Sequence, residues 1–175
     1  MADSLQLSVN RMETPIGELL LVADPDGNLR AVDWTEHEVR MQRLLRLHYG
    51  ENGYRLQAAA RSNPLLEGIR RYFAGELSAI DNLPVKTAGT SFQLEVWRAL
   101  RQISAATTIS YSALAERIGR PKAVRAVGLA NGSNPVGIVV PCHRVIGANG
   151  SLTGYGGGIE RKRWLLRHEG RDTLL

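Results

Sequence analysis

A stretch without hydrophobic periodicity, residues 86–90, divides the chain into two segments of opposite net charge. Residues 1–85 carry 9 Lys and Arg against 12 Asp and Glu, a net of −3, whereas residues 86–175 carry 13 against 5, a net of +8. We therefore expect two domains, residues 1–85 and 91–175. The basic second segment favours a polyanionic partner such as nucleic acid, although a basic surface that only contacts solvent would have the same composition.

Composition argues against a membrane protein, a disulfide-stabilised protein and a metalloprotein. No run of about 18 apolar residues is present, and Met1–Ser4 lacks the basic start and apolar core of a signal peptide. The single cysteine cannot form an internal disulfide, which fits a reducing cytoplasm. The four histidines lack the spacing of metal ligands, so we expect no metal and no cofactor.

The first segment has the pattern of a small mixed α/β domain. Strands are predicted over residues 5–14, 18–23 and 29–34, and Asp24–Gly27 favours a reverse turn between the last two. A helix is predicted over residues 36–49, with helical spacing of Val39, Leu44, Leu45 and Leu47. A second helix is predicted to begin at Asn63-Pro64 and to end near Gly75.

The second segment is predicted to be mostly helical, which makes the fold class α+β. Ser91 is expected to cap a helix over residues 92–102, with Leu94, Trp97 and Leu100 facing inward and Val96 on the flank. Two short helices, residues 110–118 and 122–131, flank a turn at Gly119–Pro121 and match a helix-turn-helix. A buried strand is then predicted over residues 137–140.

The second of these short helices is rich in small residues and carries Arg125 in its middle. Small residues let a helix backbone approach another surface closely, so this helix is a candidate for reading DNA. Tight packing against a neighbouring helix, with Arg125 simply solvated, explains the same composition.

The only cysteine, Cys142, follows an apolar segment and directly precedes His143 and Arg144. A nearby base and a fixed positive charge favour the thiolate, the nucleophilic form of cysteine. A buried cysteine that only packs in the core is the alternative. A nucleophile close to a DNA-reading helix suggests chemistry on a base, which must be extruded from the duplex into a pocket. Gly154–Gly158 could form the wall of that pocket or be an ordinary flexible loop.

Ordered segments across residues 91–170 resemble the O6-alkylguanine-DNA alkyltransferases, which move an alkyl group from guanine O6 to their own cysteine. The matching segments are Ser110-Tyr111, Arg125–Gly128, Asn134-Pro135, Pro141–Val145, Gly154–Gly157 and Trp164–Gly170. One departure is the Ser104–Ala106 stretch, which replaces a proline-cysteine-glycine step of many relatives. Residues 1–85 carry no motif of equal specificity.

The resemblance implies a role for each matching residue. Cys142 would accept the alkyl group, His143 would act as a base through water, Glu169 would orient His143, and Tyr111 would donate a proton to the leaving guanine. DNA binding would fall to Arg125, which fills the gap of the flipped base, and to Ala126 and Gly128. The substrate pocket would be formed by Asn134, which braces a turn, and by Val145, Tyr155 and Gly156.

Spacing alone leaves other roles open for three of these residues. Adjacent side chains such as Cys142 and His143 need not face each other. Glu169 could pair with Arg167 or Arg171 near the end of a helix, and Tyr111 could be a core tyrosine.

The function implied by the resemblance is single-turnover repair of O6-alkylguanine, acting as a monomer on double-stranded DNA that contains alkylated bases. Gly156 replaces the serine of some relatives, so we hypothesise a roomier pocket that also accepts bulkier O6-alkyl groups or O4-alkylthymine. Two alternatives are a cysteine hydrolase, which would need a route for water to release the intermediate, and a non-catalytic lesion-binding protein. The presence of Cys142 argues against the latter.

Overall fold

A computed structural model describes residues 3–171 of the 175-residue chain. The chain forms two compact units, Met1–Ala88 and Gly89–Leu175. The first unit combines a sheet with helices and the second is mostly helical, so the predicted α+β class is confirmed. No helix within residues 3–171 has the length and apolar character needed to cross a membrane.

The first unit is built on a four-stranded sheet. Its strands are β1 (Leu5–Thr14), β2 (Gly17–Ala23), β3 (Leu29–Trp34) and β4 (Tyr54–Ala58), in the spatial order β3-β2-β1-β4. The first three strands pair antiparallel through tight turns, and β4 pairs parallel to β1. Its helices are α1 (Glu38–Tyr49) and α2 (Leu65–Phe73), and short 3-10 turns cover Thr35–His37 and Leu77–Ile80.

Helix α1 contacts the sheet through a stripe that differs from the predicted one. Met41, Leu44 and Leu45 are buried, and Met41 and Leu45 belong to a core cluster with side chains of β1, β2 and β3. Val39 and Leu47 are 82% and 71% exposed. The predicted stripe therefore combined two buried residues with two exposed ones. The spacing of apolar residues alone does not show which side of the helix contacts the sheet.

Two further features of the first unit, strand β4 and the linker that follows the unit, differ from prediction. Strand β4 was not predicted: it is five residues long, none of them is buried, and it pairs only with β1 at the edge of the sheet. The predicted linker is shorter than residues 86–90, because the Lys86 backbone N–H donates to the Leu29 carbonyl at 3.0 Å. Thr90, at its other end, caps the next helix.

The second unit contains four helices and a small parallel β-bridge among its described residues. The helices are α3 (Ser91–Leu100), α4 (Tyr111–Arg117), α5 (Val124–Gly132) and α6 (Ile159–His168), and the paired strands are β5 (Ile109–Ser110) and β6 (Val145–Ile146). Helices α4 and α5 flank the turn at Gly119, whose φ is 73°, and form the predicted helix-turn-helix. The indole of Trp97 on α3 donates to the Ala130 carbonyl on α5 at 2.8 Å, which ties α3 to this pair.

The start and the inner face of α3 also correct the prediction. Thr90, not Ser91, is the N-cap: Thr90 Oγ1 accepts from the Gln93 backbone at 3.1 Å, and Gln93 Oε1 accepts from the Thr90 backbone at 3.0 Å. This reciprocal pair is a capping box. Val96 is fully buried while Leu94 is half-buried, so the inward stripe runs through Val96, Trp97 and Leu100.

The predicted strand over residues 137–140 is instead a buried turn. Its branched residues suggested a strand, but Ile138 has a φ of 68°, a left-handed conformation that is costly for a β-branched residue. Ala106 also lies in this region, with a φ of 65°. It is the last residue of the Ser104–Ala106 stretch, and its left-handed conformation is one that glycine adopts at no steric cost.

Candidate active site

Cys142 opens a tight 3-10 turn, Cys142–Arg144, that directly follows the buried turn. Its side chain is almost covered, at 7% exposure, and its backbone N–H donates to the Val140 carbonyl at 2.8 Å. The Asn131 amide on α5 donates to the Cys142 carbonyl at 3.4 Å. The sulfur is therefore held by a hydrogen-bonded turn and not by the rigid strand that the sequence suggested.

Asn134 fixes the shape of the segment that leads to Cys142. Its side-chain amide donates to the Val140 carbonyl at 2.8 Å, and its Oδ1 accepts from the Val136 backbone at 3.0 Å. Asn134 is 1% exposed, so both contacts are made away from water. These bonds close residues 134–140 into a loop between α5 and the turn that carries Cys142.

His143, Arg144 and Glu169 form a fully buried polar cluster immediately after the cysteine. His143 Nε2 lies 2.9 Å from Glu169 Oε2. Arg144 donates from Nε to Oε1 at 2.9 Å and from Nη2 to Oε2 at 2.8 Å, and its Nη1 donates to the Ile103 carbonyl at 2.6 Å. The fork-like contact of Arg144 is the strong, bidentate kind of ion pair. Glu169 therefore pairs with His143 and Arg144, which lie 26 and 25 residues earlier in the chain.

The protonation states of this cluster follow from its contacts. Burial opposes ionisation of Glu169, but His143 and Arg144 outweigh it and hold the pKa of Glu169 well below its usual range. Burial lowers the pKa of His143, although Glu169 acts in the opposite direction. His143 is therefore neutral near pH 7. Ionised Glu169 can only accept hydrogen bonds, which assigns the His143 proton to Nε2.

That tautomer leaves His143 Nδ1 with a lone pair. Nδ1 is buried and has no hydrogen-bond partner among residues 3–171. A neutral imidazole oriented by a carboxylate, with a basic nitrogen available, is the arrangement that activates a neighbouring nucleophile.

Lys162 was not identified from the sequence, yet it is fully buried in this region. Its Nζ donates to the Val145 carbonyl at 2.6 Å and to the Thr153 carbonyl at 2.8 Å. Burial lowers the pKa of Lys162 from 10.5 to about 8, while the negative charge of a Cys142 thiolate raises it. Because this interaction is mutual, the ammonium group of Lys162 stabilises the thiolate form of Cys142.

We expect Lys162→Met to slow alkylation of Cys142 by iodoacetamide about tenfold at pH 7 and to move the rate profile to higher pH. Lys122→Met removes the same charge from an exposed position and should leave the profile in place. A variant that lost rate equally at every pH, with an unmoved midpoint, would show that Lys162 has only a structural role.

Lys162 should also make the folding stability of the protein increase with pH. Its pKa is lower in the folded protein than at its ordinary value, so the unfolded chain binds the proton more tightly between pH 8 and 10.5. Stability of the wild type should therefore rise with pH across that window, and Lys162→Met should lack this rise. Urea denaturation at several pH values measures it.

Tyr111 and the glycine-rich loop meet at the Thr153 carbonyl. The Tyr111 hydroxyl donates to it at 3.1 Å, so this one oxygen accepts from both Tyr111 and Lys162. A Cβ at Gly154, whose φ is 52°, would lie 3.9 Å from the same hydroxyl. Tyr155 and Gly156 follow in this loop and are half-buried, and Val145 is fully buried. Lys162 thus connects the loop that carries Tyr155 to the segment that carries Cys142.

The predicted DNA-binding residues lie on α5. Arg125 and Ala126 are exposed, whereas Gly128 is half-buried and faces the Tyr111 ring. The structure thus joins His143 to Glu169 directly after Cys142, links Tyr111 to Lys162 through the Thr153 carbonyl, and leaves Arg125 and Ala126 exposed on α5.

Lys162 could have been found from the sequence. Lys162, Leu165 and Leu166 of α6, and Glu169 directly after its end, follow the helical spacing of one face, and all four are buried. A lysine on an otherwise apolar stripe of α6 was the available signal.

These features define a class of protein, in which a buried thiol nucleophile with an adjacent base is built into a helix-turn-helix unit. Residues 91–171 match the family model described as "6-O-methylguanine DNA methyltransferase, DNA binding domain". The chain is 54% identical to the methylated-DNA--protein-cysteine methyltransferase of Shigella flexneri, covering 95% of this chain and 97% of the relative.

Solved structures agree. The O6-methylguanine methyltransferase of Mycobacterium tuberculosis superposes with a TM-score of 0.74 at 40% identity, covering 93% of this chain and 92% of that one. A structure of Mycobacterium tuberculosis OGT in complex with DNA has a TM-score of 0.74 at 38% identity, covering 97% and 96%. The chain belongs to the methylated-DNA--protein-cysteine methyltransferase family.

Proposed function

We propose that this protein repairs DNA by transferring an alkyl group from O6 of guanine to the sulfur of Cys142, once per molecule. The observation that carries the proposal is the buried cluster at Cys142, in which a neutral His143 is oriented by Glu169 through a 2.9 Å contact. The family membership and the helix-turn-helix of the same unit support DNA as the partner.

The proposed reaction gives one role to each polar side chain of the site. His143 Nδ1 takes the thiol proton through a water molecule, and Lys162 stabilises the resulting thiolate. The sulfur attacks the alkyl carbon, an S–C bond forms, and the bond from that carbon to guanine O6 breaks with its electron pair going to guanine. Tyr111 donates a proton to the departing guanine and is reprotonated from solvent. The product thioether is stable, so the protein is consumed.

The base must leave the duplex to reach Cys142, a residue that is only 7% exposed. Exposed Arg125 on α5 would occupy the space that the extruded base leaves. We further infer that the partner is double-stranded DNA carrying alkylated bases, and that the protein acts as a monomer in the cytoplasm.

We expect Arg125→Ala to reduce transfer from duplex DNA by about 10- to 100-fold, because extrusion of a base costs a few kcal/mol. The reaction with free O6-benzylguanine should change far less, since a free base needs no extrusion. Single-turnover rates on both substrates measure this. Equal losses on the two substrates would contradict the extrusion role of Arg125.

A titration tests the single-turnover proposal and separates it from its alternatives. With O6-methylguanine duplex in excess, repaired lesions should plateau at one per protein molecule. A cysteine hydrolase would pass that plateau and keep repairing, and a lesion-binding protein would retain the DNA without repairing it.

The lesion range is a second part of this proposal. If the pocket at Gly156 is roomy, benzyl and methyl lesions should react at comparable rates, and O4-methylthymine should also be repaired. A strong preference for methyl over benzyl would contradict it.

A further inference from the structure

Helix α5 carries one large apolar side chain on its exposed side. Leu129 is 72% exposed, whereas Val127, Ala130 and Asn131 of the same helix are buried. Leu129 lies four residues after Arg125 and three after Ala126, both of which are exposed. Residues at these spacings are neighbours on one side of a helix, with Cβ atoms about 5–6 Å apart.

Small residues surround Leu129 on the helix surface. Ala126 and Gly132 are exposed and small, and Gly128 is half-buried. A partner can therefore approach the helix backbone closely, and the Leu129 side chain would then insert into that partner. Burial of exposed apolar surface favours such a contact.

The charges near this surface identify its partner as a polyanion. Lys122 and Arg125 are exposed at the turn and on α5, and Arg120, also exposed, pairs with Glu95 at 3.4 Å. This favours DNA over an apolar protein surface, and apolar side chains that enter the minor groove support unstacked or kinked base steps.

Resting on the function proposed above, we propose that Leu129 inserts into the minor groove beside Arg125 and supports the base pair next to the gap left by the extruded nucleotide. Arg125 occupies the gap itself, while Leu129 contacts the neighbouring step. Leu129 does not touch the reacting atoms. It is a positioning residue that favours the extruded state.

The test compares two leucines of equal exposure. Leu129→Ala is matched by Leu47→Ala on α1, since Leu47 is 71% exposed and Leu129 is 72% exposed. We expect Leu129→Ala to slow methyl transfer from O6-methylguanine duplex about tenfold, because the unstacked step would lose its apolar support. Leu47→Ala should match the wild type. Neither substitution should change the rate with free O6-benzylguanine by more than about twofold, since no base is extruded.

Two further variants separate apolar insertion from charge. Leu129→Met keeps an apolar side chain of similar size and should retain most of the duplex rate. Leu129→Lys should bind DNA more tightly at low salt but should not restore that rate. Fluorescence of 2-aminopurine placed next to the lesion should rise on binding of the wild type and rise less with Leu129→Ala.

Three results would overturn the inference. They are a duplex rate for Leu129→Ala equal to that of Leu47→Ala, an equal loss on duplex and free base, or a change of oligomeric state in sedimentation that would assign Leu129 to a protein interface. Failure of the proposed function is distinguishable, because the wild type would then transfer no alkyl group from either substrate.

Discussion

Replacing Cys142 by serine should abolish alkyl transfer from both duplex DNA and free O6-benzylguanine. A serine hydroxyl is far harder to ionise than a thiol, so neither a neutral His143 nor a buried Lys162 can generate the required nucleophile at neutral pH. DNA binding should persist, because the exposed residues of α5 are separate from the buried cluster. Retention of methyl groups in lesion DNA over long incubations measures the loss.

A matched affinity measurement makes this result interpretable. Cys142→Ser should bind O6-methylguanine duplex with an affinity within about threefold of the wild type, since it leaves the phosphate contacts unchanged. Repair activity remaining in Cys142→Ser would contradict the assignment of the acceptor.

Glu169→Gln should destabilise the second unit by about 3–5 kcal/mol, because it leaves the buried guanidinium of Arg144 without its anionic partner. The glutamine amide can also donate to His143 Nε2, which moves the His143 proton to Nδ1 and removes the basic nitrogen. Alkyl transfer by the folded fraction should therefore fall as well. Urea denaturation followed by tryptophan fluorescence in a Trp34→Phe background reports on Trp97 and Trp164, which both lie in the second unit.

Glu160→Gln is the matched control on the same helix. Glu160 pairs with Arg163, but its side chain is 87% exposed, so its loss should cost less than about 1 kcal/mol. Equal stability of Glu169→Gln and Glu160→Gln would contradict the structural role of the cluster.

The dependence of folding stability on acid pH is a second test of the role of Glu169. Its pKa is held well below the usual range in the folded protein, so its stabilising contribution is present at neutral pH. That contribution is lost as pH falls below the ordinary glutamate pKa toward the folded value. The wild type should therefore lose stability on acidification more steeply than Glu169→Gln.

Turn-forming residues in the sequence predicted correctly the helices and strands that they bound. β1 and β3 match their predicted residues because turn-forming sequences bound them, and the helix-turn-helix was recognised from its glycine turn. Residues 137–140 were predicted wrongly, since their branched apolar residues are typical of a strand, while the turn is stabilised by side-chain hydrogen bonds of Asn134 that this apolar pattern does not show. Strand β4 was missed because only pairing with β1 defines it.

The site could be predicted only in part. Cys142 was proposed as a nucleophile from its sequence neighbours, whereas the roles of His143 and Glu169 rested on the resemblance to a family. Sequence spacing could not show that Glu169 meets His143, 26 residues away. Lys162 and the Arg144 ion pair were missed because charged residues are expected at the surface. A buried charge becomes evident only when the fold supplies its partners.

The central claim is tested most directly by the intact mass of the protein after incubation with O6-methylguanine duplex. We predict a permanent gain of one methyl group per molecule, located on Cys142 by peptide mapping and absent from Cys142→Ser. An unmodified protein, or a methyl group on any other residue, would contradict the account.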